Sequence, residues 1–511
     1  MTTNHTPLAP PTQPERGGRR FTRTATGTAL AAAALLAGVL VTAAAADRHP
    51  AEGKQPSGTL SAWAPCPDSA QVQCATLQVP LDWSKPRGTK ISLSAVRRPA
   101  DNPEQRIGTL FFNPGGPGDS PHDYIIGADT TFSDTLRQRF DIVGLDPRAT
   151  GATKLLHCDI PMVTPTGTLF PQTAAQFDEL RKHNRDVGNS CLDRYGKFLA
   201  HTDTISVARD HEALRRALDV EQVSWLGLSY GTQLAANYAE LFPRRTRAMV
   251  LDAALEHSMP ELQQVADEAL AAEDSFNRFA AWCPTDPTCA LQGQDVAAVF
   301  DRLVANADAH PLAVTGAVHP VTGEDIRMGT KGLLRLKTPS IYGPDLSWAG
   351  LSRALKAAID GDGSAFAFPA DQPQDQIFSL LGIACMEYAP QIHTYDQMRQ
   401  RIEMGRQLAP HLQGASETWQ VNYCIDWPIR PSNPPRALNV RNVATLIVHA
   451  THDPSVPYKW AHTLASQIEG SAILTRIGDG HTSYHTSPCA RAAIDDYLVQ
   501  PVAPANATCS D

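Results

Sequence analysis

Sixteen consecutive residues, Val223 to Tyr238, restrict this chain more than any other stretch. Val223-Ser224-Trp225-Leu226-Gly227-Leu228 is an apolar run of the length of a buried strand, and the residues after Ser229 carry a helical pattern that Pro243 stops. Ser229 lies two residues from Gly227 and two from Gly231. A serine on so abrupt a strand-to-helix turn needs neighbours without side chains, because the backbone passes close to itself there. The helix that follows aims its unpaired N–H groups and positive dipole end at the hydroxyl. Gly-x-Ser-x-Gly alone is common. Set between a strand and a helix, it makes Ser229 the expected nucleophile, against the competing reading of a plain structural turn.

The surrounding pattern sets the fold class. Strands are predicted at 74–79, 90–98, 108–113, 140–146, 247–252, 443–450 and 472–477, with an amphipathic helix over 206–218. The run at 108–113 enters Pro114-Gly115-Gly116-Pro117-Gly118, as expected of a buried parallel strand with a tight loop at its C-terminal end. Strands alternating with helices imply an α/β protein with a mostly parallel central sheet. From 255 to 437 the pattern turns mainly helical, with candidates at 260–282, 377–387 and 395–408 and proline- and glycine-rich breaks at 308–323 and 360–374. A block this long exceeds an ordinary crossover and reads as an inserted helical cap. The expected division is a leader at 1–46, a first core part at 47–254, the cap at 255–437 and a C-terminal core part at 438–511.

If Ser229 is the nucleophile, an acid and then a histidine should follow later strands. Asp453 follows the 443–450 strand, and His481 follows the 472–477 strand. His481 is the expected base and Asp453 the group that orients it. His485, His449 and His452 are the other histidines nearby, and for them a solvated or locally bonded role is the simpler reading; Asp479 is too close in sequence to orient His481 well. Charge forming on a carbonyl oxygen needs fixed donors, expected from the backbone N–H groups of Tyr230 and Gly116; Pro117 has none to give. A zinc site from His449, His452 and Asp453 would leave Ser229 unexplained, and no cysteine pair has zinc-knuckle spacing. No phosphate-binding glycine motif or P-loop lysine occurs, so neither a metal nor a cofactor is expected.

The ends of the chain suggest export. A basic segment with Arg16, Arg19, Arg20 and Arg23 precedes an uncharged, alanine-rich run to Ala46, as in a cleaved signal peptide; an uncleaved anchor is the alternative. The ten cysteines, Cys66, Cys74, Cys158, Cys191, Cys283, Cys289, Cys385, Cys424, Cys489 and Cys509, fit disulfides in an oxidising compartment. The net charge of −9 argues against nucleic acid or an anionic membrane as partner.

Several of these residues together resemble the secreted bacterial tripeptidyl aminopeptidases and their prolyl-aminopeptidase-like relatives, which are α/β-hydrolases of the serine peptidase class. The likeness runs over Trp63 with Cys66, the entry from Cys74 to Asp82, the loop from Asn113 to Gly118, the stretch from Gly227 to Thr232, Asp453-Pro454 with Val456-Pro457, Gly480-His481 and a cysteine-bearing C-terminal segment. It implies an α/β-hydrolase fold and a secreted exopeptidase that acts on peptides with a free N-terminus, with Ser229, Asp453 and His481 as triad. It also implies disulfides paired in chain order. The chain departs from the family at Ala149, where glycine is usual, and at Thr153, where serine is usual. An aminopeptidase must hold a protonated amine, and Glu387 and Glu256 are the candidate carboxylates, each with a surface acid as the simpler reading. The same triad could serve an esterase or amide hydrolase acting on a small molecule. A non-catalytic binding protein on the same scaffold is the third reading. Oligomeric state has no signal in the sequence.

Overall fold

Alternation along residues 108–113 sorts Phe111 onto one face of a sheet and Leu110 and Phe112 onto the other, and each face has its own core. The computed structural model describes residues 57–388, 390–504 and 507–510, so the expected leader at 1–46 lies outside the described residues. Strands β1 (Thr59–Leu60), β2 (Ala64–Cys66), β3 (Ser69–Pro80) and β4 (Lys90–Arg98) make an antiparallel edge. They are joined by β5 (Gly108–Asn113), β6 (Phe140–Leu145), β7 (Val223–Leu228), β8 (Thr246–Asp252), β9 (Thr445–His452), β10 (Ala472–Asp479) and β11 (Thr508–Ser510). The order is β1-β3-β4-β6-β5-β7-β8-β9-β10-β11, with β2 on β3, and every pairing beyond the β4–β6 contact is parallel. This is an α/β-hydrolase fold.

Burial on both faces explains the unbroken apolar runs. All six residues of β7 are buried, and Trp225 packs edge-on against Phe111 and beside Tyr238 of the Tyr230–Leu241 helix. The Thr204–Ala217 helix covers the same face, with Val207, Ala208, Ala213 and Leu214 in its core. On the other face, the Pro488–Val499 helix brings Ile494 and Leu498 against Leu226 and Val250.

Helices fill the chain between β8 and β9, among them Glu261–Trp282, Val296–Ala309, Gly323–Leu333, Trp348–Ile359, Asp375–Glu387 and Tyr395–Leu408. They build a separate core around Phe276, Phe279, Phe300, Trp348 and Leu351. A second stretch joins them from outside the expected bounds. The Ala174–Tyr195 helix, expected within the first core part, places Phe177 and Leu180 in that helical core. Arg181 and Arg185 both reach Asp426. No described helix is long and apolar enough to cross a membrane.

The disulfides are Cys66–Cys74, Cys158–Cys191, Cys283–Cys289, Cys385–Cys424 and Cys489–Cys509. Cys489–Cys509 ties the last helix to β11, a strand of three residues with too little pattern to be seen in the sequence. Cys158–Cys191 and Cys385–Cys424 lie in one apolar cluster with Phe378 and Leu381 of the Asp375–Glu387 helix.

The turn after β6 carries the two departures from the family. Ala149 takes a φ of 64°, a region that favours glycine, and is fully buried. Thr153 keeps a hydroxyl where serine is usual: it accepts from the Ser94 N–H at 2.8 Å and donates to the Asp146 carbonyl at 3.0 Å. Just before them, Arg148 is buried against Asp210 with two contacts of 2.7 and 2.9 Å. Its remaining N–H groups reach the carbonyls of Pro80, Leu81 and His201. Arg148 thereby ties the end of β3, the β6 turn and the Thr204–Ala217 helix. Removing one partner would leave the other charge buried and alone. Arg148→Ala is therefore expected to lower the unfolding free energy by about 3–5 kcal/mol, measured by urea denaturation.

Candidate active site

Ser229 stands between β7 and the Tyr230–Leu241 helix with φ 53° and ψ −125°. A non-glycine residue in this region costs about 1–3 kcal/mol and persists only where its surroundings fix it. Here they do. The Ser229 N–H donates to the Asp252 carbonyl at 2.9 Å, and the Ser229 carbonyl accepts from both the N–H and the hydroxyl of Thr232 at 2.9 and 2.6 Å. Thr232 in turn accepts from the Leu255 N–H at 2.9 Å. The tight crossing leaves no room for side chains: a Cβ on Gly231 would stand 2.3 Å from the Asn113 carbonyl oxygen.

The loop after β5 lies directly against the serine. A Cβ on Gly115 would meet the Leu228 carbonyl oxygen at 2.6 Å and the Ser229 Cβ at 2.9 Å, with the Tyr230 nitrogen 3.1 Å away. The Asn113 side chain holds the loop by accepting from the Gly115 N–H at 3.1 Å. Gly116 follows and is exposed. Among the described residues, neither the Gly116 nor the Tyr230 amide donates to an acceptor. The Tyr230 side chain points away into the protein, where its hydroxyl meets Thr204 at 2.7 Å.

His481 comes from the loop after β10 and Asp453 from the turn after β9. The His481 Nδ1 lies 2.8 and 3.0 Å from the two Asp453 carboxylate oxygens. Asp453 is buried and also accepts from the N–H groups of Ser455 and Val456 at 2.8 and 3.0 Å. Burial alone would raise its carboxyl, but the charge of His481 and these bonds hold it below the ordinary value. An imidazole oriented through Nδ1 has its other nitrogen available to take a proton from a hydroxyl.

Asp252, which ends β8, was read in the sequence only as a strand end. Its carbonyl holds Ser229, and its carboxylate accepts from the N–H of Ser483 at 2.7 Å and of Tyr484 at 2.8 Å, just beyond His481. The signal was an aspartate closing the apolar run 248–251, and it proves wholly buried. The helical layer grips the same loop. The His481 N–H donates to the Arg335 carbonyl at 2.6 Å, and Asp479 pairs with Arg278 and with Lys337, the latter at 2.8 Å. Asp479 is thus a clamp and no rival to Asp453.

The other expected residues lie elsewhere. His452 bonds Asp274 at 2.7 Å and His449 the Ala450 carbonyl at 3.1 Å, so the two do not converge on a common centre with Asp453. His485 packs between Tyr124 and Tyr342. Among the described residues, the one group close enough to share an ion is Cys66, Cys74 and His122, and both cysteines are in a disulfide. Glu256 is buried and accepts from the N–H groups of Ser258 and Met259 and from Gln467. Glu387 is buried and accepts from the Thr204 N–H, Gln233 and Asn433. Both carboxylates are already engaged by internal donors, so the structure offers neither to a substrate amine. A wide groove in the helical layer, lined by Met162, Leu180, Glu324, Phe366 and Leu380, contains none of Ser229, Asp453 and His481.

Two expectations follow. Asp252→Ala leaves the Ser483 and Tyr484 N–H groups without their acceptor, at about 1–3 kcal/mol each; hydrogen exchange at these two amides should rise before global unfolding does. Burial pushes the Glu387 carboxyl up to about 8, against the lowering effect of the Thr204 and Asn433 donors. The folded state therefore keeps a proton that the unfolded state releases, so this contribution is full below the unfolded value of 4.5 and is lost as pH rises through about 8. Glu387→Gln should flatten that fall in melting temperature between those limits.

Residues 410–509 match the family described as TAP-like protein. The chain is 30% identical to serine protease Hip1 of Mycobacterium tuberculosis over 86% of its own length and 88% of that protein. It is also 30% identical to carboxylesterase B of the same organism, over 90% of this chain and 92% of that one. Tripeptidyl aminopeptidase of Streptomyces lividans is 26% identical over 84% of this chain and 81% of its own. Similarity at this level, spread over nearly the whole of each relative and joined to a TAP-like C-terminal segment, places the chain in the TAP-like family of α/β-hydrolases.

Proposed function

We propose that this protein is a serine exopeptidase that releases di- or tripeptides from peptide N-termini through an acyl-enzyme. The observation that carries the reading is the Asp453–His481 pair, with the His481 loop tied by Asp252 to the Ser229 turn. Ser229 attacks the scissile carbonyl as His481 takes its proton, and Asp453 keeps the imidazole in the required tautomer. The oxygen's negative charge meets the amides of Gly116 and Tyr230, a role supported by the closeness of the Gly115 loop to Ser229 and by the two amides having no acceptor among the described residues. His481 then returns the proton to the leaving amine as the C–N bond breaks. Water, activated by the same imidazole, releases the acyl group. Residues 255–437 serve as the cap that limits how much of a chain enters. The five disulfides support action outside a reducing cytoplasm after removal of the 1–46 leader.

A relative named carboxylesterase B, as similar as the one named serine protease, favours a second reading with the same residues and an alcohol as leaving group. Substrates decide between them. Peptide anilides with a free amine should exceed their N-acetylated counterparts about 10- to 100-fold in kcat/KM, the scale of a charge-assisted hydrogen bond. Ser229→Ala should abolish both by at least about 10⁴-fold. Equal turnover of blocked peptides would exclude an aminopeptidase, and turnover of esters alone would establish the second reading.

A further inference from the structure

Asp119 stands three residues beyond Gly116 in the loop that faces the serine. Its carboxyl carbon lies 3.4 Å from the point where a Gly116 Cβ would stand, and its N–H reaches back to the Gly115 carbonyl at 3.4 Å. The side chain is open to solvent. Among the described residues, its carboxylate makes no hydrogen bond or ion pair. The other acids around the site are engaged: Asp146 accepts from Ser120 and the Ala152 N–H, Asp479 holds Arg278 and Lys337, and Asp252, Asp453, Glu256 and Glu387 have the partners described above. Asp119 is exposed, and Arg335, Tyr124, Tyr342 and Asp123 are near enough to feel its charge. Burial and Asp123 push its carboxyl up, and Arg335 opposes them.

A lone anion beside Gly116 works against catalysis. The tetrahedral intermediate places negative charge at the Gly116 and Tyr230 amides, and a carboxylate in the same loop repels it. A positive group on the substrate would turn that repulsion into recognition. The geometry points to Asp119 as the specificity-determining carboxylate of this site, receiving an ammonium or guanidinium that the substrate carries close to the scissile carbonyl. The α-ammonium of a short acyl segment and a lysine or arginine side chain supply the same chemistry. The inference deepens the proposed function, since it rests on Ser229 being the nucleophile.

The test uses four chromogenic anilides: lysine or norleucine at the residue before the cut, each with a free or an acetylated N-terminus. The wild-type enzyme is expected to prefer the cationic member of one pair by about 10- to 100-fold in kcat/KM. In Asp119→Asn and Asp119→Ser that preference should collapse towards one, with turnover of the uncharged member rising as the repulsion is removed. Loss confined to the lysine–norleucine pairs identifies a side chain as the ligand, and loss confined to the free–acetylated pairs identifies the α-ammonium. Labelling of Ser229 by a phosphonate probe and the melting temperature report whether each variant is folded. Should both fold poorly, salt titration of the wild type takes their place, with a selectivity that falls as ionic strength rises as the expected result. A wild-type enzyme without preference in any pair, a preference that survives both substitutions, or a salt-independent selectivity overturns the assignment of Asp119. Hydrolysis that survives Ser229→Ala overturns the reading of the site itself.

Discussion

One buried aspartate fixes the relation between two loops that come from strands far apart in the chain. The Asp252 main chain fixes the Ser229 turn, and its side chain fixes the residues that follow His481. The serine and the histidine loop are therefore referenced to one residue and not to each other. This arrangement tolerates an open cleft, because neither loop depends on substrate to find its place. Burial of the Asp252 carboxylate is costly and pushes its carboxyl up, which the Ser483 and Tyr484 N–H groups oppose. The same donors that lower the cost define the loop.

The helical layer completes the framework from the other side. Arg335 gives its carbonyl to His481 and its side chain to Ser455 at 3.1 Å, two residues beyond Asp453. Arg278 and Lys337 converge on Asp479 at the end of β10. Displacing this layer would thus disturb His481 and Asp453, not merely uncover them. The layer is coupled to the Asp453–His481 pair through one main-chain bond, from His481 to Arg335, and through side-chain contacts at Ser455 and Asp479.

The sequence revealed what local pattern controls. The strands at 90–98 and 108–113 and the helix at 395–408 have the expected bounds, because burial leaves either a period or an unbroken apolar run that can be read. The placement of Ser229, Asp453 and His481 after β7, β9 and β10 was legible because each follows an apolar strand. The Ala174–Tyr195 helix was not legible as part of the helical layer. Its partners, such as Asp426, lie hundreds of residues away, and its pattern says only that one face is buried. Glu387 and Glu256 looked available because sequence gives residue type without surroundings. In three dimensions Gln233, Asn433 and Gln467 close over them.

That enclosure has an electrostatic consequence for the whole site. A carboxyl pushed up to about 8, as at Glu387, is largely uncharged at neutral pH and adds little to the field at Ser229. Asp453 is held below the ordinary carboxylate value, and in the proposed mechanism its charge is matched by the imidazolium formed as His481 takes a proton. Deep acids in this fold therefore either stay neutral or are compensated within the protein, and neither kind can distinguish one substrate from another. Discrimination by charge must come from groups that solvent reaches before substrate arrives. On the proposed reading, that places the choice of substrate in the glycine-rich loop that would also stabilise the reacting oxygen, so selectivity and rate would be set by neighbouring residues and should change together.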